Sequence, residues 1–215
     1  MNVATIGTGF IVDWFLTAVQ ESANISCVAM YSRKESSARM LADKYEIDKI
    51  YTNLDDMLKD EEINFVYVAS PNSLHAGKNV ICEKPFTSTV EEFDRLVKEA
   101  QDRHLYLFEA IVTAHMPNYL RMKEELPRLG TIRMVQCNFS QYSSRYDKFL
   151  QGETPNVFNP EFSGGALADI NIYNLHYVIG FFGKPKTVHY YANKHANGID
   201  TSGVVLMQYD GFQAV

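Results

Sequence analysis

The sequence predicts an α/β chain: a doubly wound parallel sheet in its first half, then an α+β domain with an open, mostly antiparallel sheet. Three observations carry this. A β-prone run, Val3 to Ile6, ends in Gly7-Thr8-Gly9 and opens into an apolar helical pattern. Strand-like and helical runs then alternate as far as Phe108, the signature of a parallel sheet with crossover helices. Beyond Pro117 the character changes to β-prone runs separated by a long polar loop and one apolar helix.

The opening strand, glycine turn and helix suit a nucleotide. Gly7 permits the tight turn, and Gly9 lets backbone N–H groups approach a pyrophosphate at the positive end of the helix. Thr8, Phe10 and Ile11 complete the expected cradle. Val12 stands where Gly or Ala is usual, so the fingerprint is incomplete. Ile25 to Tyr31 reads as the second strand. A carboxylate at its end would accept from the ribose hydroxyls of NAD. Ser32-Arg33-Lys34 follows instead. One hydroxyl and two cations suit a 2′-phosphate, so NADP(H) is favoured, with NAD(H) possible. The competing reading is an ordinary polar helix start, since Ser36 to Tyr45 is helical.

Ile50-Tyr51 is a short third strand, Leu54 to Leu58 a short helix, and Asn64 to Ala69 a fourth strand. It runs into Ser70-Pro71-Asn72-Ser73-Leu74-His75. Ala69, Ser70, Asn72 and His75 are candidates for the cofactor, the last two for its nicotinamide end; Pro-Asn-Ser is also a plain turn signal. Only nine residues, Ser70 to Lys78, separate strands four and five. A parallel crossover with its helix takes about 10–12 or more. A helix is therefore expected to be missing near residues 75–77.

Val80 to Cys82 is a fifth strand, and Glu83-Lys84-Pro85 sits where it ends. Ligands of open parallel sheets bind just beyond the carboxyl ends of the strands. Lys84 is placed to meet a ligand there, with Glu83 beside it. Taken alone, such a tripeptide is more often a surface Lys-Glu pair on a turn. Val90 to Asp102 is amphipathic, with Thr89 as N-cap. Leu105 to Phe108 is a sixth strand, and Asn118 to Leu126 a helix. The domain boundary is expected near Pro117, giving a nucleotide domain over 1–116 and a substrate and dimerisation domain over 117–215.

In the second half, Thr131 to Tyr142 is β-prone, Ser143 to Ser163 a long polar loop, and Thr187 to Tyr191 and Val204 to Tyr209 further strands. About three strands leave an exposed edge and face, so this domain is expected to be incomplete. Between them lies Gly164-Gly165-Ala-Leu-Ala-Asp169-Ile-Asn-Ile-Tyr173-Asn-Leu-His176. On a helix Asp169, Tyr173 and His176 fall at i, i+4 and i+7, one face. A polar cluster satisfied within the core has the same pattern.

A formal charge of −6 argues against nucleic acid as a partner. Cys27, Cys82 and Cys137 are odd in number and contain no CxxC pair, which suggests reduced thiols in a cytoplasmic protein and no metal site. The chain opens without a charged leader, and its apolar run near Ile11 is too short to span a bilayer.

With the glycine turn, Glu83-Lys84-Pro85 and Asp169-x-x-x-Tyr173 together, the chain resembles the glucose–fructose oxidoreductase / inositol dehydrogenase / MocA family along its whole length. The resemblance implies an N-terminal Rossmann domain, a C-terminal α/β domain on a large open sheet, and oxidation or reduction of a sugar, polyol, cyclic alcohol or dihydrodiol with NAD(P). It maps the family's lysine onto Lys84, its helix aspartate onto Asp169 and its Tyr-or-His position onto Tyr173. Asp169 would then orient substrate or tune its neighbours, and His176 would hold a substrate hydroxyl or act as acid/base. The family often dimerises through its open sheet. Departures are Val12, and Asn171 where glycine is common. Two other readings stand beside this: a non-catalytic dinucleotide-binding sensor, scaffold or inactive fragment, and a different reductase chemistry such as imine or bilin reduction.

Overall fold

The computed structural model describes residues 1–68 and 76–215. The helix expected to be missing near residues 75–77 concerns a crossover that runs through 69–75, outside the described residues. The chain divides into two compact units, Met1–Ala110 and Ile111–Val215. The first unit ends where its sheet hydrogen bonding ends: the Ala110 N–H donates to the Cys82 carbonyl (2.8 Å).

The first unit runs β1 (Asn2–Ile6), α1 (Phe10–Gln20), β2 (Ser26–Tyr31), α2 (Glu35–Lys44), β3 (Lys49–Tyr51), α3 (Leu54–Lys59), β4 (Phe65–Val68), β5 (Asn79–Cys82), α4 (Val90–Asp102) and β6 (Leu107–Glu109). Among the described residues its six strands form one parallel sheet in the order β3-β2-β1-β4-β5-β6. This is the doubly wound Rossmann order, with its switch point between β1 and β4. Strand alternation builds a core on each face. Val3, Met30 and Tyr67 pack with Val12 and Leu16 of α1 and Ala38 and Ala42 of α2. Their neighbours Ala4, Ala29 and Val66 pack on the other face with Met57 and Leu58 of α3. Buried on both faces, such strands read as continuous apolar runs.

Local chemistry sets the ends. Asn53 caps α3 by accepting from the Asp55 and Asp56 N–H groups, and Thr89 caps α4 by accepting from Glu92 N–H (3.2 Å). The sixth strand starts later than the sequence suggests. Leu105 N–H donates to Ala100 O (2.8 Å), so Leu105 still closes α4, and the ladder begins at Leu107.

The second unit contains α5 (Pro117–Glu125), β7 (Met134–Val135), α6 (Tyr146–Leu150), α7 (Ile172–Phe182), β8 (Thr187–Lys194), β9 (Asp200–Gln208) and β10 (Gln213–Ala214). Among the described residues its sheet has four strands, β7-β10-β9-β8, antiparallel except where β10 meets β7. Of the β-prone segment Thr131 to Tyr142, only Met134–Val135 joins that sheet as a strand. The stretch Ser143 to Ser163, expected to be loop, is partly helical and carries its own small core. Phe149 stacks on Phe158 at 4.7 Å between ring centroids, and both pack against Ile199. Burying three apolar side chains outweighs the polar composition between them. The segment Leu167–Asn171 is a π turn that runs directly into α7.

Candidate functional site

In the first unit the strand ends are flush. Ile6 pairs with Tyr31 and Val68, Tyr31 with Tyr51, Val68 with Cys82, and Cys82 with Glu109. The described residues one or two positions past those ends therefore emerge along one edge of the sheet. Gly7-Thr8-Gly9 follows β1, Ser32-Arg33 follows β2, and Glu83-Lys84 follows β5. The structure brings these predicted residues together on that edge, around the switch point.

Gly7 has φ +109, which favours glycine, and its N–H donates to Tyr31 O (3.1 Å), tying the turn to β2. Gly9 is the N-cap of α1 in extended backbone (φ −78, ψ 173), with no side-chain cap. The Gly9 carbonyl accepts from Val12 and Asp13, closing the first turn. A Cβ built on Gly9 meets no described atom within 4 Å. Among the described residues the space before the first N–H groups of α1 is thus open, and no side chain caps the helix, which is what an entering pyrophosphate requires. The residues present fit a bound dinucleotide. Phe10 lies at the exposed start of α1, with Trp14 edge-on to it at 5.5 Å, and Ile11 packs partly against the core.

Helix α1 is held at this edge by a network that the sequence reading missed. The Tyr45 hydroxyl lies 2.6 Å from Asp13 Oδ1, 2.9 Å from Asp13 O and 2.8 Å from Thr17 Oγ1; Lys44 Nζ reaches Asp13 Oδ1 at 2.7 Å. Hydrogen bonds from Lys44 and then Tyr45 hold the Asp13 carboxyl below its usual range. A Lys-Tyr pair closing α2 was the only signal in the sequence. At β2, Ser32 N–H donates to Tyr51 O (3.0 Å), while Arg33 and Lys34 are exposed.

Beyond β5, Glu83 accepts a hydrogen bond from the Tyr67 hydroxyl, and Tyr67 stacks on Phe15 of α1 at 3.9 Å. Lys84 precedes a cis peptide to Pro85, and Phe86 N–H donates to Glu109 Oε1 (3.1 Å). The strand end is therefore anchored on both sides of Lys84. Ala69, Ser70, Asn72 and His75 lie outside the described residues.

In the second unit Asp169 sits in the π turn, and Tyr173 and His176 on α7, all half-buried. Tyr173 and His176 are three apart on regular helix, hence neighbours on one face. Asp169 departs from the ideal i, i+4 spacing. Hydrogen bonds in a π turn run i→i+5, so each residue rotates less about the axis. Tyr173 packs beside Phe139, ring centroids 5.7 Å apart. Among the described residues no group of His, Cys, Asp and Glu is arranged to hold a metal, and no helix is long and apolar enough to cross a membrane.

Residues 1–111 match the oxidoreductase family with an NAD-binding Rossmann fold, and residues 120–215 match the GFO/IDH/MocA C-terminal domain. The chain belongs to the GFO/IDH/MocA oxidoreductase family. It is 41% identical to an uncharacterized oxidoreductase, YgjR, of Escherichia coli, covering 99% of this chain and 67% of the relative. It is 37% identical to scyllo-inositol 2-dehydrogenase (NADP(+)) IolU of Bacillus subtilis, covering 100% and 68%. In fold it is similar to the crystal structure of myo-inositol 2-dehydrogenase from Lactobacillus plantarum, with TM-score 0.85 at 21% identity over 100% of this chain and 68% of that one. The chain thus spans about two thirds of the length of the relatives it matches. Its first unit is the family's NAD(P)-binding domain.

Proposed function

We propose that the protein transfers a hydride between NADP and a CH–OH group of a polyol, sugar, cyclic alcohol or dihydrodiol. The observation that carries this reading is the flush sheet edge, where an uncapped glycine turn, Ser32-Arg33 and Glu83-Lys84 emerge together. The name of the Bacillus relative, an NADP-dependent inositol dehydrogenase, supports both cofactor and substrate class.

Gly7, Thr8, Gly9, Phe10 and Ile11 cradle the pyrophosphate, and Ser32 and Arg33 take the 2′-phosphate. Ala69, Ser70, Asn72, His75 and Glu83 line the rest of the cofactor. The bound dinucleotide supplies the two-electron chemistry. The protein's own task is to orient the reacting carbon and manage one proton. Lys84 hydrogen-bonds the substrate oxygen. Tyr173 accepts the hydroxyl proton in oxidation and returns it in reduction. Asp169 orients the substrate, and His176 holds a further hydroxyl. The three cysteines form no disulfide with one another, which suits a reducing, cytoplasmic setting. Tyr191 and Val204 pair across β8 and β9 and are 65% and 51% exposed, an apolar sheet face suited to a second copy of the chain. With its net negative charge the protein has no nucleic-acid partner in this reading.

Trp14, the sole tryptophan, is 67% exposed on α1 and serves as energy-transfer donor to bound NADPH. Titration of the wild type and Arg33→Asp with NADPH and NADH tests the cofactor. Loss confined to NADPH is expected; equal losses for both would reject the 2′-phosphate site. An NADP+ reduction screen over inositols, aldoses and dihydrodiols tests the substrate class. Tight binding without turnover of any of them would reject the enzymatic reading.

A further inference from the structure

The two glycines before α7 are fixed by what lies against them. A Cβ on Gly164 would sit 2.5 Å from Val157 O. Gly165 has φ +111, donates its N–H to Val157 O (2.8 Å), and would carry a Cβ only 1.9 Å from Asp200 Oδ1. Asp200, at the start of β9, uses its other oxygen. Oδ2 accepts from Leu167 N–H at 2.7 Å and from the Tyr190 hydroxyl. Tyr190 is fixed in turn because its ring lies where a side chain on Gly203 would be, 2.4 Å from a built Cβ. Burial and the Asp200 carboxylate both push the Tyr190 phenol up, so it remains a donor.

Leu167 is the first residue of the π turn. Its N–H is one of the four at a helix start that lack an intrahelical partner. A π turn is rare and needs outside support against reverting to α-helix, which would rotate Asp169 relative to Tyr173. We propose that Asp200 is a positioning residue, whose one oxygen shared by Leu167 and Tyr190 sets the π turn that presents Asp169 and leads into Tyr173. The inference rests on the roles given above to Asp169 and Tyr173. The sequence contains little sign of it, because Asp200 lies far down the chain from the helix it holds.

The test compares Asp200→Leu, of similar bulk but without an acceptor, with Asp200→Asn, which keeps one. Three quantities are measured on the full chain: kcat and KM for polyol oxidation, NADPH affinity from Trp14 energy transfer, and exchange of the Leu167 amide. In Asp200→Leu the amide should exchange faster. Its kcat should fall roughly 100-fold, the scale of a 1 Å misplacement, while NADPH affinity stays within about twofold. Asp200→Asn should retain amide protection and most of kcat. If Asp200→Leu does not fold, Tyr190→Phe carries the test, since it keeps the ring over Gly203 and removes one of the two donors. It should lower kcat without changing NADPH affinity. Wild-type kcat in folded Asp200→Leu, or Asp200→Asn behaving like Asp200→Leu, would overturn the proposal. Tyr173→Phe separates the two levels. If it retains wild-type kcat, the proton-transfer assignment fails; if it collapses while Asp200→Leu is normal, only the positioning role fails.

Discussion

Gly9→Val separates folding from nucleotide binding. The backbone at Gly9 is extended and open to any residue, and no described atom lies within 4 Å of the added Cβ. Valine is a poorer N-cap than glycine, a cost of about 0.5–1 kcal/mol. Fewer unfolded conformations offset this by about 0.4–1 kcal/mol. Stability should therefore move by less than about 1 kcal/mol. Binding has no such compensation. The valine methyls would occupy the space before the first N–H groups of α1. Each charge-assisted hydrogen bond lost there is worth about 1.5–3 kcal/mol, so displacing one or two weakens NADPH by about 100-fold. Trp14 lies five residues from Gly9, about 7 Å along the helix, and reports binding by energy transfer. Calorimetric titration gives the affinity independently, and thermal unfolding gives the stability. Wild-type affinity in Gly9→Val would refute the cradle, and so would a loss of affinity that appears only with loss of the fold.

Tyr45→Phe removes the hydroxyl that joins α2 to Asp13 and Thr17. It should cost about 1–2 kcal/mol, read as a lower thermal midpoint, whereas an unchanged midpoint would mean the network is idle. Asp60 accepts from Lys49 Nζ and the Tyr51 hydroxyl, both at 2.7 Å, and these bonds, led by Lys49, lower its pKa to about 2. Its unfolded value is about 3.9, so its stabilisation is fully present above that pH and is lost as pH falls through about 2. Urea midpoints of wild type and Asp60→Asn should therefore differ at pH 6 and converge near pH 2. Burial pushes the Cys27 thiol up to about 12. Iodoacetamide at about pH 8 should leave it unmodified in the native protein, as read by peptide mass spectrometry.

The first unit was legible because each of its elements carries its own local signal. Thr89 and the 3.6-residue apolar period mark α4, and Gly7 and Gly9 mark the turn after β1. What the sequence hid depends on distant partners. The π turn at Leu167–Asn171 is held by Asp200, and no periodicity within the turn reveals that. Phe149 and Phe158 look like isolated aromatics in a polar stretch until Ile199 closes over them. Thr131 to Tyr142 alternates like a longer strand, yet as a strand it pairs only at Met134–Val135, against the short β10. The roles of Lys84 and Tyr173 came from the family resemblance, since residue type and position alone left a surface pair and a satisfied polar cluster open.

Deuterium transfer tests the account most directly. A polyol deuterated at the oxidised carbon, incubated with NADP+ and the protein, should give NADPH heavier by one deuterium in its mass spectrum. Lys84→Met should abolish that signal while binding NADPH within a few-fold of wild type. Deuterium appearing at the wild-type rate in Lys84→Met, or failing to appear from any oxidised polyol, would contradict it.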